Sequence, residues 1–84
     1  MSRLSSMPNI AKVLEDKLQK AGINSSEELI EIGSKEAFLR IKAEDNSACF
    51  NMLCALEGAI QGVRWHGLGE GTKKSLKEFF NKVG

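Results

Sequence analysis

His66, Cys49, Cys54 and Trp65 are the scarce reactive or recognition side chains of this 84-residue chain. Their spacing limits the chemistry open to it. His66 is the only histidine, and no Ser, Cys or Asp is placed by sequence to complete a nucleophile and base around it. No catalytic residue is therefore assigned, and a non-enzymatic role is expected. Cys49 and Cys54 lie in what reads as one helix, where their separation turns them about 140° apart around the axis. That suits neither a disulfide nor a shared metal, and buried or half-buried free thiols are expected instead. There is no glycine-rich phosphate loop of Walker or Rossmann type. We expect no metal, no cofactor and no small-molecule substrate.

Three groups of residues could still make contacts. Arg64-Trp65-His66 reads as a partner-contact patch, because Trp and Arg dominate binding hot spots. Its structural alternative is Trp65 sealing one end of the core, with Arg64 and His66 favoured at a helix C-terminus. Glu57 is the single charge between Ser47 and Val63. It must reach water or a cation, or else join the same contact patch. The third group is Met7-Pro8-Asn9-Ile10-Ala11, followed by Leu14, Leu18 and Ala21-Gly22-Ile23. This has the layout of a helix-hairpin-helix nucleic-acid element, in which a turn offers backbone N–H groups at a helix N-terminus to a phosphate. Asn9 and Ala11 stand where the two turn glycines would be, which hinders close backbone approach. With Lys12, Lys17, Lys73, Lys74 and Lys77, that turn defines the candidate nucleic-acid surface.

Five helices are expected to position these groups. The first spans Ile10 to Ala21, with Ile10, Val13, Leu14, Leu18 and Ala21 as its apolar stripe, Asn9 as N-cap and Gly22 as the left-handed stop. The second follows the Ser25–Glu28 capping box and ends at Gly33. Ser34 would cap a short third helix, Lys35 to about Lys42. The fourth, Ser47 to Val63 with Asp45 as N-cap, is apolar on most sides and therefore enclosed by its neighbours. Gly58 and Gly62 within it would let another helix approach. The last spans Glu70 to Lys82, with Leu76, Phe79, Phe80 and Val83 opposite its lysines. No alternating strand pattern occurs.

Composition is that of an ordinary globular protein, 42 % hydrophobic and 27 % charged. A single domain over 1–84 is expected, with residues 1–8 as a flexible or partly ordered arm. The longest apolar run, Met52 to Leu56, cannot span a bilayer. The N-terminus has no signal-peptide core, so a cytoplasmic address is expected. Net charge is +1, which argues against binding nucleic acid by bulk electrostatics. Its distribution is uneven: residues 1–23 carry +2, residues 24–63 carry −4 and residues 64–84 carry +3.

Pro8-Asn9-Ile10, Leu14 through Leu18, Ala21-Gly22-Ile23, Gly33 through Arg40, Ala55-Leu56-Glu57-Gly58-Ala59-Ile60-Gln61-Gly62 and Arg64-Trp65-His66 together resemble the C-terminal domain of the TfoX (Sxy) family, bacterial regulators associated with natural competence. The resemblance runs from about Met7 to Phe80. It implies a compact all-α fold related to helix-hairpin-helix and SAM-like domains. It also implies a regulatory or protein-interaction module linked to competence or transcription, whose partner is another protein or a second copy. Direct, largely non-specific DNA binding through the turn and the basic last helix is the alternative. Longer members carry an N-terminal α/β domain for which this chain has no room, so a stand-alone domain is expected.

Overall fold

Glycine and serine at helix ends decide where this chain turns. The computed structural model describes residues 3–83, and every regular element among them is helical. A 3-10 turn at Leu4–Ser6 leads into α1 (Lys12–Lys20), α2 (Ser26–Glu44), α3 (Phe50–Gln61), a second 3-10 turn at Trp65–Gly67, and α4 (Glu70–Val83). The all-α class holds, but the expected five helices are corrected to four. The segments expected as the second and third helices are two halves of α2, joined directly at Gly33 (φ 85°, ψ 163°) with no linker between them.

Local chemistry explains most boundaries. Gly22 is left-handed (φ 87°), Ile23 N–H donates to Leu18 O at 2.9 Å and Gly22 N–H to Gln19 O at 3.0 Å. That pair of bonds is a Schellman stop, and it carries both Leu18 and Ile23 into the core. Ser25 Oγ accepts the Glu28 N–H (3.2 Å) at the start of α2, as the capping box requires.

Two expected N-caps are corrected. Asn9 does not cap α1, because its backbone is left-handed (φ 70°) while an N-cap residue is extended. Ala11 takes that place without a side-chain bond. Asp45 does not cap α3 but closes α2, and α3 starts at Phe50 behind Cys49. Val13 is also not part of the inward stripe. It is 69 % exposed, since it is turned about 100° from Leu14 and α1 buries only Leu14 and Leu18.

The core lies between α2 and α3, which pack most extensively, with α4 against α3 and α1 against α2. Phe38, Ile41, Leu53, Leu56 and Leu76 are buried at its centre. Phe80 of α4 meets Phe38 of α2 and Phe50 of α3 at centroid distances of 5.9 and 5.7 Å in tilted and edge-on contacts, a geometry that favours aromatic pairs. Within the expected arm Leu4 is buried and Met7 packs against the core, while Arg3, Ser5 and Ser6 are exposed; Met1 and Ser2 lie outside the described residues. No helix among the described residues is long and apolar enough to cross a membrane.

Candidate functional site

Asn9 joins the two ends of the sequence that carry the candidate contacts. Its Nδ2 donates to Val63 O (2.9 Å) and, at longer range, to Ala55 O (3.4 Å), while its Oδ1 accepts the Trp65 N–H (3.1 Å). The side chain thus bonds the end of α3 and the segment that follows it. It also holds the positive φ that a glycine would take in such a turn, a conformation Asn adopts more readily than most other residues. Ala11 is extended (φ −97°), so it needs no glycine.

Gly58 of α3 and Gly62 just beyond its end serve this junction and not a second helix. A Cβ on Gly58 would sit 2.6 Å from Asn9 Nδ2 and 2.7 Å from Val63 O. Gly62 is the left-handed stop (φ 78°), with Val63 N–H donating to Gly58 O at 2.9 Å and Gly62 N–H to Ala59 O at 3.2 Å. Ending α3 there sends Val63, Arg64 and Trp65 back over the Asn9 turn. Arg64-Trp65-His66 therefore follows α3 and does not end it, as the sequence had suggested.

An open cleft of about 650 Å³ forms at this junction. Met7, Pro8 and Ala11 of the turn line one side, Asn51 and Ala55 of α3 the floor, and the Arg64–His66 run the other side. Trp65 is 37 % exposed and stacks on His66 with centroids 4.2 Å apart and an interplanar angle of 29°. Arg64 is exposed and no residue of α4 lines the cleft among those described. No carboxylate side chain lines it either; Glu15 is held at its edge by the Ser5 N–H (3.2 Å).

The remaining candidates lie elsewhere. Glu57, one residue before Gly58 and so turned about 100° from it, faces away from the cleft. Its carboxylate accepts from Ser34 Oγ (2.5 Å) and Gln61 Nε2 (2.6 Å) and borders a crevice with Lys35, Thr72 and Ser75. Glu57 and Arg64-Trp65-His66 are not brought together. Ser34, expected as a helix cap, spends its hydroxyl on this bond. Lys12 is exposed and makes an i,i+4 pair with Asp16 at 3.8 Å. Lys17 is bound to Asp45 and reaches Ser47 Oγ (3.1 Å). The hydrogen bond from Lys17, then those from the Ser47 hydroxyl and amide, hold the Asp45 carboxyl well below the usual carboxylate range. Lys74 and Lys77 are exposed on α4, while Lys73 is half-buried with its charge near Cys54. Burial pushes the Cys54 thiol up, whereas Cys49 is exposed.

Sequence reasoning missed Asn9 as a junction residue and Asn51 and Ala55 as cleft floor. The available signal was Gly58: a glycine inside an apolar helix costs about 1 kcal/mol against Ala, so something must need the space.

Fold and site define a small all-α domain whose N-terminal turn is bonded to the end of its central helix. Residues 1–80 match the family model of the TfoX C-terminal domain, and the chain belongs to that family. Protein Sxy of Escherichia coli (strain K12) is 31 % identical over 81 residues, which cover 96 % of this chain and 39 % of that protein. The DNA transformation protein TfoX1 of Aliivibrio fischeri is 31 % identical over 75 residues, 88 % of this chain and 36 % of that protein. The chain therefore spans less than half the length of these relatives. Among solved structures, a Listeria monocytogenes protein described as uncharacterized, in a triclinic form, is 56 % identical with a TM-score of 0.95, over 98 % of this chain and 93 % of that one. A Listeria monocytogenes protein of unknown function, in a tetragonal form, gives the same identity and TM-score, with 98 % and 100 % covered.

Proposed function

We propose that this domain is a non-enzymatic regulatory module that binds a protein partner at the cleft between the Asn9 turn and Arg64-Trp65-His66, in competence or transcription control in the cytoplasm. The observation that carries this reading is the placement of Trp65 and Arg64, exposed side by side at a concave surface. Aromatic and Arg side chains supply the anchors of most interfaces, and a rigid ring loses little entropy when it is covered. The names of the relatives, one of them a DNA transformation protein, support the link to competence. Immobilised domain retains a partner on this account, and Trp65→Ala loses it while staying folded. Equal retention by the variant overturns the reading.

A second reading is DNA binding at the same turn. It is favoured by the left-handed Asn9, which keeps a glycine-like turn beside Arg64 and His66. It is weakened by the pairing of Lys17 with Asp45 and by the absence of α4 lysines from the cleft among the described residues. Titration of duplex DNA at about 50 and 200 mM salt separates the two, because phosphate contacts lose affinity steeply over that range. No binding at the lower salt removes this second reading.

A further inference from the structure

The one histidine of the chain, His66, stands in the wall of the cleft. Histidine is the side-chain type whose charge ordinarily changes between pH 5 and 8. Its ring lies on the Trp65 indole, with centroids 4.2 Å apart and an interplanar angle of 29°. A cation over an indole face is attracted to the ring electrons, so the contact is compatible with a protonated imidazole. The charged groups around the stack are few. Arg64 precedes it on the same wall and is exposed. Glu15 of α1 lies at the cleft edge, where its carboxylate accepts the Ser5 N–H at 3.2 Å. Lys12, next after the lining residue Ala11, pairs with Asp16 at 3.8 Å. Every other described lining residue, from the Asn9 turn and from α3, is uncharged.

We propose that proton uptake by His66 regulates the cleft, raising its attraction for the carboxylates of a protein partner as pH falls from 8 toward 5.5. The inference rests on the reading of the cleft as a protein-binding surface and adds a regulation to it. With a neutral imidazole, the Arg64 guanidinium on the wall is offset by the Glu15 carboxylate at the edge. With an imidazolium the wall carries two cations against that one carboxylate, and the balance turns positive. Binding of an acidic segment then favours the protonated state, and by reciprocity the protonated state binds such a segment more tightly. Because the two rings are in contact, the change reaches the Trp65 anchor directly.

Trp65 is the only tryptophan and tyrosine is absent, so its emission reports on the cleft alone. The test compares its quenching by iodide, an anion, with quenching by neutral acrylamide between pH 5.5 and 8, at an ionic strength of about 0.1 M. The ratio of the two quenching constants cancels any change in emission lifetime. It should rise about twofold on acidification, the effect of one added charge a few ångströms away in screened water. His66→Gln should hold the ratio at its pH 8 value throughout. Arg64→Gln should lower the ratio and Glu15→Gln should raise it, each keeping the step. A ratio that ignores pH overturns the inference, as does a step that persists in His66→Gln or vanishes in Glu15→Gln. The quenching measurement needs no partner, so its failure leaves the protein-binding reading standing. Partner retention that ignores Trp65→Ala removes that reading and, with it, the regulation, whatever the quenching shows.

Discussion

Asn9 makes the most exacting claim on the structure, because one side chain is asked to hold a left-handed turn and to bond a segment more than fifty residues away. Asn9→Gly keeps the backbone conformation and deletes the side-chain bonds. Two of these are well formed, to Val63 O at 2.9 Å and from Trp65 N–H at 3.1 Å. At about 0.5–1.5 kcal/mol each, their loss amounts to about 1–3 kcal/mol. Asn9→Ala loses the same bonds and also forces an alanine into the left-handed region, at about 1–2 kcal/mol. Gly carries its own cost in unfolded-chain entropy, about 0.5–1 kcal/mol, so alanine should be worse than glycine by about 1 kcal/mol or slightly less. Urea unfolding followed by far-UV circular dichroism and by Trp65 emission measures both values. In a domain of this size a loss of about 2 kcal/mol also lowers Tm by roughly 8–16 °C. Two results refute the reasoning. If both variants lie within about 0.5 kcal/mol of the wild type, the bonds do not hold the junction. If alanine is as stable as glycine, the left-handed conformation is not what Asn9 supplies.

Other expectations follow from neighbouring contacts. Gly58→Ala should destabilise by about 1–3 kcal/mol through overpacking despite its gain in helix propensity, measured by thermal melting. Combined with Asn9→Gly its effect should be less than additive, since one of the two clashes is with Asn9 Nδ2. The folded Asp45 carboxyl titrates below its unfolded value, so its stabilising contribution is complete above about pH 4 and is lost as pH falls below that toward the folded pKa. Urea midpoints at acidic pH should accordingly fall less steeply in Asp45→Asn than in the wild type. Cys49 should alkylate in the native protein while buried Cys54 reacts only on unfolding, a difference that mass spectrometry resolves.

Features set by neighbouring residues were legible before the structure. Ala21-Gly22-Ile23 and the Ser25–Glu28 pair each complete their hydrogen bonds within six residues, so a local pattern suffices to place them. Gly33 was legible as a break in the helix, but not its result. Whether a left-handed glycine separates two helices or bends one depends on the packing of Ala37, Phe38 and Ile41 beyond it, all buried against the core. Asn9 and Asp45 were misread for a related reason. Both residue types favour N-caps, and that local preference was overridden by partners far along the chain: Val63 and Trp65 for Asn9, Lys17 for Asp45. The candidate site was half legible. Arg64-Trp65-His66 and the Pro8–Ala11 turn stood out by type, yet nothing in their spacing indicated that they share a cleft. Glu57 stood out equally and faces another surface.

The central claim is that this cleft is where the domain meets its partner. Its most direct test compares the wild type with Trp65→Ala in a retention assay, with unfolding free energy measured on the same samples. Trp65 is more than one-third exposed and its ring stacks on His66, so its removal should cost the fold little. The account predicts that the variant loses the retained partner while its stability falls by no more than about 1 kcal/mol. Retention undiminished in a folded variant would contradict it.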